Sequence, residues 1–310
     1  MCAMRVTLTG ATGLIGPSLV ATLRERDAQV TVLTRHPERA KAKLGDVEAV
    51  RWELNSEPAP AEALAGRDAI VHLAGEPVAQ RWSAKVKQAI RESRLLGTHN
   101  LIEGIRAVAQ EAGQRPGTLV SSSAIGYYGP HGDEPLDEDA APGSDFLADV
   151  CVEWENAAAA ARELGLRVVQ VRTGVVLDSD GGALSKMLPP FRLGVGGPVA
   201  GGRQYISWIH AKDLVGMMLA AIEDERWSGP VNATAPEPAT NRDFSKVLGR
   251  VLGRPALLPV PGAALRVLYG DMAEIVTSGA RVLPAKPLVL GYKFSHPQLE
   301  EALRSALDAG

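Results

Sequence analysis

The chain has 310 residues, 45% of them hydrophobic and 22% charged, with a formal net charge of −3. That length suits one large α/β domain or a large domain with a smaller lobe. The scattered Lys and Arg form neither the basic stripe of a nucleic-acid binder nor a polybasic membrane-surface run, and two cysteines without metal spacing argue against a disulfide framework or a metal site.

The opening "MCAMRVTLTG" lacks the apolar core of a signal peptide, and no apolar run is long enough for a membrane span. The expectation is a cytoplasmic protein whose fold begins near Met4. From there, apolar strand-like runs alternate with helical stretches. Residues 5–9 read as a strand, 14–26 as a helix, 29–34 and 47–52 as strands two and three, and 68–73 as a fourth. A long helix follows over 84–112, with Val86, Ile90, Leu96, Leu101, Ile105 and Val108 as apolar positions. Residues 118–122 read as a fifth strand, 146–164 as helix and 167–173 as a sixth strand. Alternation of this kind predicts an α/β fold, a doubly wound parallel sheet of Rossmann type covered on both faces.

After about residue 174 the texture changes to a Gly- and Pro-rich region, with short elements at 212–222 (helix), 230–233 (strand), 241–252 (helix), 265–277 (helix) and 296–307 (helix). Residues 253–261 read as a strand edge or connector. The expected division is a nucleotide-binding domain over 4–174, joined by segments from about 205–235. A smaller C-terminal lobe would follow over 175–310.

The stretch "LTGATGLIG" (8–16) carries Gly10, Gly13 and Gly16 between a strand and a helix. Glycines there allow a tight turn and close approach of a pyrophosphate, and the helix start offers free N–H groups and a positive dipole end. Thr9 and Thr12 could add hydroxyl donors. Strand two ends in "LTRHPER" (33–39), with Thr34 and Arg35 where an NAD site carries an acid. A guanidinium can pair with a 2′-phosphate that a carboxylate would repel, so the spacing favours NADP, with Arg39 able to share the role. Ala74 and Gly75 in "HLAGEP" (72–77) are small residues at a strand end, where a cofactor could pass.

These pieces, with "SSSAIGYYG" (121–129), "VRTGVVL" (171–177) and "WIHAKDL" (208–214), resemble the extended, epimerase-like branch of the short-chain dehydrogenase/reductase superfamily. "HLAGEPVAQRWS", "IRESRLLGTHNLIEGI", "DFLADVCVEWE" and the tail "LYGDMAEIVTSGARVLPAKPLVLGYKF" narrow the resemblance to atypical members related to family 39U. Those carry a C-terminal domain of unknown function, here about 257–305. The resemblance implies an NADP (NADPH) site lined by Thr9, Gly10, Thr12, Gly13, Leu14, Ile15, Gly16, Thr34, Arg35, Glu53, Leu54, Leu73, Ala74, Gly75, Glu76, Arg81, Ser121 and Thr173.

In ordinary relatives a Tyr, and a Lys four residues later, serve catalysis beside a Ser. The Tyr exchanges the substrate proton, the Lys lowers the Tyr pKa and binds the nicotinamide ribose, and the Ser polarises the carbonyl. The resemblance places Ser122 or Ser123 at the Ser position, but Leu147 at that of the Tyr and Cys151 at that of the Lys. Tyr128 is the candidate for a displaced acid, while Asp149 and Glu153 read as a solvated helix face. Loss of the acid costs about two to four powers of ten in rate without abolishing hydride transfer. Three readings follow: an oxidoreductase with a relocated acid, one whose substrate needs no strong acid, or an NADP(H)-binding sensor or structural protein. Substrate contacts are expected from Lys186, Arg203, Tyr205 and Trp208 for a small molecule, and His210 reads as structural. By analogy the chain is a monomer or a homodimer formed through the helices at 84–112 and 146–164.

Overall fold

The computed structural model describes residues 3–111 and 113–308, with all side chains among them except those of residues 264, 268 and 269. Cys2, residue 112 at the end of the expected long helix, and residues 309–310 lie outside the described residues. The first half runs β1 (Arg5–Thr9), α1 (Gly16–Arg24), β2 (Gln29–Thr34), α2 (Pro37–Leu44), β3 (Glu48–Arg51), β4 (Ala69–His72), α3 (Ala84–Ala109), β5 (Thr118–Ala124), β6 (Pro135–Leu136) and α4 (Phe146–Ala159). The second half runs β7 (Arg167–Thr173), β8 (Val175–Leu177), α5 (Gly182–Arg192), β9 (Tyr205–Ile206), β10 (Trp208–His210), α6 (Ala211–Glu223), β11 (Gly229–Ala233), β12 (Ala239–Thr240) and α7 (Asn241–Leu252). It closes with α8 (Gly262–Tyr269), α9 (Ala273–Thr277), β13 (Arg281–Val282), α10 (Ala285–Val289) and α11 (Leu299–Asp308).

Seven strands form one parallel sheet in the order β11-β7-β5-β4-β1-β2-β3. Its central strands bury Val6, Leu8, Val30, Val32, Ile70, Val71, Leu119, Val120, Val168 and Val169, the continuous apolar runs that a sheet covered on both faces requires. Leu19 and Leu23 of α1 pack with Leu214 and Met217 of α6 in the core on one face. Leu101 and Ile105 of α3 pack with Ala158 of α4 on the other. A further core gathers Leu184, Leu188 and Phe191 of α5, Trp208, Phe244 and Leu248 of α7, and Leu303 of α11. Short pairs tie the later segments down: β8 with β10, β9 with β12, and β6 with β13. No helix among the described residues is long and apolar enough to cross a membrane.

Several elements depart from the sequence reading. The first helix begins at Gly16, not residue 14, because the phosphate-type loop continues through Ile15. The helix α2 was not expected; Pro37 sits in its first turn, where a missing N–H costs nothing. The helix α5 lies in the Gly- and Pro-rich region that the sequence marks as loop-rich, yet it forms despite Pro189 and Pro190, burying Leu184, Leu188 and Phe191 along one face. The single helix expected over 265–277 is two helices, broken at Gly270 (φ +63°), a backbone conformation that suits glycine. The last helix starts at Leu299 rather than 296.

Candidate functional site

The strand order reverses direction between β1 and β4, so the crevice beyond their C-terminal ends is where an open α/β sheet holds a ligand. Thr9 and His72 end these strands as register partners. They are joined by a directional chain of hydrogen bonds. The Ala74 amide donates to Thr9 Oγ1 (3.2 Å), Thr9 Oγ1 lies 2.7 Å from His72 Nδ1, and His72 Nε2 lies 3.2 Å from Thr98 Oγ1. Burial pushes His72 down to about 4, with Arg94 adding repulsion, so the imidazole is neutral. One ring nitrogen donates and the other accepts, between the hydroxyls of Thr9 and Thr98. Thr9 is corrected as a hydroxyl donor to a ligand: its side chain is fully buried, with Oγ1 held between His72 Nδ1 and the Ala74 amide. His72 itself was not singled out in the sequence, where it reads as one more buried strand residue.

The three glycines of the loop do different things. Gly10 adopts φ +69°, and a Cβ there would sit 2.7 Å from Ala74 N and Leu73 C, so this turn crosses the end of β4 at backbone contact. A Cβ on Gly16 would collide with Ala11 O at 2.1 Å. Gly13 is exposed, and a Cβ would meet only Gly10 O, at 3.2 Å. The space before Gly13 is thus left open by the protein. Among the described residues no backbone acceptor faces the amides of Leu14 and Ile15. An open face lined by unpaired amides at a helix start is a cradle that fits a pyrophosphate. Leu14 closes its rim, since a Cβ on Gly181 would touch Leu14 Cδ1 at 2.6 Å.

On the β2 side, Thr34 Oγ1 accepts from the His36 amide (3.2 Å), and Arg35 and Arg39 are exposed with no ion pair among the described residues. Lys43, on the unexpected helix α2, donates to Thr12 O (2.9 Å) and brings a third positive charge to the loop. Glu53 and Leu54 are half-buried. Glu53 pairs with Arg51 at 3.4 Å, and Leu54 packs under α3, where a Cβ on Gly97 would touch its side chain.

The region between β5 and α4 holds the expected catalytic positions. The strand alternates its serines: Ser121 and Ser123 are buried, while Ser122 faces the other way and has no internal hydroxyl partner among the described residues. Ser121 Oγ donates to Ser122 O (3.3 Å) and Ser123 Oγ donates to Glu155 Oε1 (2.7 Å), so the free hydroxyl of the trio is that of Ser122. Glu155 receives a two-pronged contact from Arg172, Nε to Oε1 at 2.8 Å and Nη2 to Oε2 at 2.9 Å. Arg172 Nη1 in turn donates to Tyr128 (3.0 Å), whose hydroxyl lies 2.6 Å from Asn232 Oδ1. Asn232 N and Lys286 N donate to the two oxygens of buried Glu138, each at 3.0 Å. Tyr128 is corrected as a displaced acid: it is fully buried, its proton is committed inside this network, and burial raises it to about 12 against the pull of Arg172. Tyr127 packs flat on Arg172, ring centroid 3.5 Å from Cζ, and is half-buried. Leu147 and Cys151 line the inner face of α4 beside Gly126. Burial, then the charge of Glu155, lifts the Cys151 thiol to about 12, so it is neutral. Asp149 is exposed and Glu153 pairs with Arg91, the solvated face expected of them.

The loop after β4 is held by α3. The Glu76 amide donates to Ser93 Oγ (2.9 Å), Gln80 Nε2 donates to Glu76 Oε1 (3.1 Å), and Arg94 Nη1 donates to Glu76 O (3.1 Å). Arg81 is exposed beside Gly270, and Thr173 ends β7 half-buried. The four expected substrate contacts are not brought together. Lys186 Nζ donates to Ala79 O, Arg203 is exposed, and Tyr205 lines a separate surface cavity of about 420 Å3 with Glu237, Thr240, Asp243 and Gln298. Trp208 is corrected: it is fully buried in the core around α7, with its indole N–H donating to Glu237 O (3.1 Å), and presents no ring to a ligand.

A doubly wound parallel sheet, open at its switch point and edged by a glycine turn with unpaired amides, defines a Rossmann-type nucleotide-binding fold. Residues 6–233 match the model of the NAD dependent epimerase/dehydratase family, and residues 260–306 match a domain of unknown function, DUF1731. The chain belongs to that epimerase/dehydratase family. It is similar to an epimerase family protein of Mycobacterium bovis, 41% identical over 300 residues that cover 96% of each chain. The chloroplastic SDR39U1 homolog of Arabidopsis thaliana is 40% identical over 304 residues, 98% of this chain and 87% of the relative. Among solved structures, human epimerase family protein SDR39U1 with NADPH superposes with a TM-score of 0.87 at 35% identity, covering 98% of this chain and 99% of that one.

Proposed function

We propose that this chain is an NADP(H)-binding oxidoreductase of the epimerase family that works without the usual Tyr–Lys pair. The observation that carries the reading is the cradle at Gly13, with the unpaired amides of Leu14 and Ile15 on one side and the unpaired guanidiniums of Arg35 and Arg39 on the other. No carboxylate ends β2, so nothing there repels a 2′-phosphate. The human relative's structure contains NADPH, which supports the same choice here. When bound, the cofactor supplies a hydride. The chain's own part is to position it along β1, β4 and β5 and to offer the Ser122 hydroxyl to a substrate oxygen from the edge of β5. The lobe from residue 175 onward would then shape the substrate side, over a nucleotide-binding domain of 4–174.

A second reading, an NADP(H)-binding sensor or structural protein, has one observation in its favour. Leu147 holds no proton, and neutral Cys151 and buried Tyr128 cannot release theirs. Titration of the protein with NADPH and NADH tests the shared premise. NADPH should bind about tenfold to a hundredfold more tightly, and Arg35→Ala should erase most of that difference; equal affinities in the wild type would remove the NADP assignment. NADPH oxidation, followed with panels of carbonyls, quinones and sugar nucleotides, separates the two readings. Tight binding with no turnover in any panel would favour the sensor.

A further inference from the structure

The resemblance places neutral Cys151 where ordinary relatives carry a cation on α4, and a guanidinium approaches that helix from the neighbouring α3. Arg94 leaves α3 and lies over the end of β4, where a Cβ on Gly75 would touch its Cζ at 3.3 Å. Its plane is held over the Trp154 ring of α4, 4.9 Å from the centroid. Its Nη1 is fixed by two carbonyls, Glu76 O and Ile90 O, both at 3.1 Å. Those bonds use one nitrogen. Nε and Nη2 have no acceptor, and the side chain no salt bridge, among the described residues. The carboxylate of Glu76 is turned to Gln80 instead. Trp154 lies three residues after Cys151 on the buried face of α4, so the guanidinium approaches that face of the helix. A half-buried guanidinium held by two carbonyls and an aromatic face, with Nε and Nη2 lacking a protein acceptor and no ion-pair partner among the described residues, offers oriented donors to a ligand.

We propose that Arg94 binds the nicotinamide half of the cofactor, its free donors taking the ribose that a lysine at the Cys151 position would otherwise hold. The proposal rests on the NADP(H)-binding reading and extends it: the positive charge on the nicotinamide side comes from α3 rather than α4. A Cβ on Gly75 would press on Arg94 Cζ at 3.3 Å, so the glycine leaves the guanidinium its present position without a push of a few tenths of an ångström.

Calorimetric titration of the wild type, Arg94→Met and Arg94→Lys with two ligands tests this. NADPH contains the nicotinamide half, whereas 2′,5′-ADP contains only the adenosine side. Arg94→Met should weaken NADPH by about tenfold to a hundredfold while 2′,5′-ADP holds within about twofold, and Arg94→Lys should fall between wild type and Arg94→Met for NADPH alone. Unchanged NADPH affinity in Arg94→Met, or an equal loss for both ligands, would overturn the proposal by making the residue a substrate contact or a structural strut. If Arg94→Met does not fold, Arg94→Lys carries the same judgement: a selective loss for NADPH supports the proposal, and a loss shared by both ligands or absent from both overturns it. A wild type that binds neither ligand would instead sink the nucleotide-binding reading itself, a different failure from either of these.

Discussion

The β1–β2 side of the cleft and the β5–α4 side treat their polar groups in opposite ways. Around the glycine loop, donors are left over: the amides of Leu14 and Ile15 and the guanidiniums of Arg35 and Arg39 have no internal partner among the described residues. Behind β5 and α4 a buried polar network is satisfied internally, as Ser123, Glu155, Arg172, Tyr128, Asn232 and Glu138 bond one another in sequence, while Ser122 keeps its hydroxyl free. Unsatisfied donors at a surface cleft are what a ligand site leaves open, whereas a satisfied buried network specifies a packing. The contrast separates a side of the cleft that leaves donors open from a side whose buried polar groups hold the packing.

The strongest way to break that contrast is to cut the buried pair. Glu155→Ala would strand the Arg172 guanidinium, 3% exposed, without its counter-charge. The expected loss is about 3–5 kcal/mol in urea unfolding. A loss below about 1 kcal/mol would mean that water reaches Arg172 and that the network is an open site after all.

A smaller effect tests the hinge between the two sides. His72 is held at about 4 against an ordinary 6.5, a depressed value. Its contribution is therefore fully present above pH 6.5 and is lost as pH falls through about 4. The limit is about 3 kcal/mol. Unfolding free energies measured from pH 7.5 to 4 should decline for the wild type and decline less for His72→Asn. Parallel curves would show that the imidazole is not buried neutral between Thr9 and Thr98.

The smallest effect sharpens the assignment of Tyr128. Removing its hydroxyl in Tyr128→Phe should cost about 1 kcal/mol of stability and leave NADPH affinity within about twofold. A variant of full stability whose NADPH oxidation is lost with any substrate would return the proton to Tyr128 and reopen the site.

Much of the cofactor side was legible because its chemistry is local. A strand, a glycine turn and a helix start are contiguous, so 8–16 announces the cradle by itself, and Arg35 follows from the length of β2. The β5–α4 side was legible only in part. The sequence names Leu147 and Cys151 as departures, but the partners that decide Tyr128 come from Arg172, Asn232 and Glu138, far along the chain. Trp208 and Tyr205 looked alike as candidate stacking residues, and burial alone separated them. Arg94 was hidden inside an amphipathic helix pattern, where a half-buried Arg and a solvated one share the same letter and spacing.

By itself the sequence determined the parallel α/β sheet, the glycine turn at its first strand and the absence of an acid at the end of β2. These are properties of contiguous residues, carried by hydrophobic period and backbone sterics. Only the tertiary structure decided which serine keeps a free hydroxyl, that α5 forms despite two prolines, that Tyr128 is locked, and that Arg94 lies over Trp154. Each of those depends on what distant segments bury or leave unpaired, and the energy of a polar group is fixed by its neighbours in space rather than along the chain.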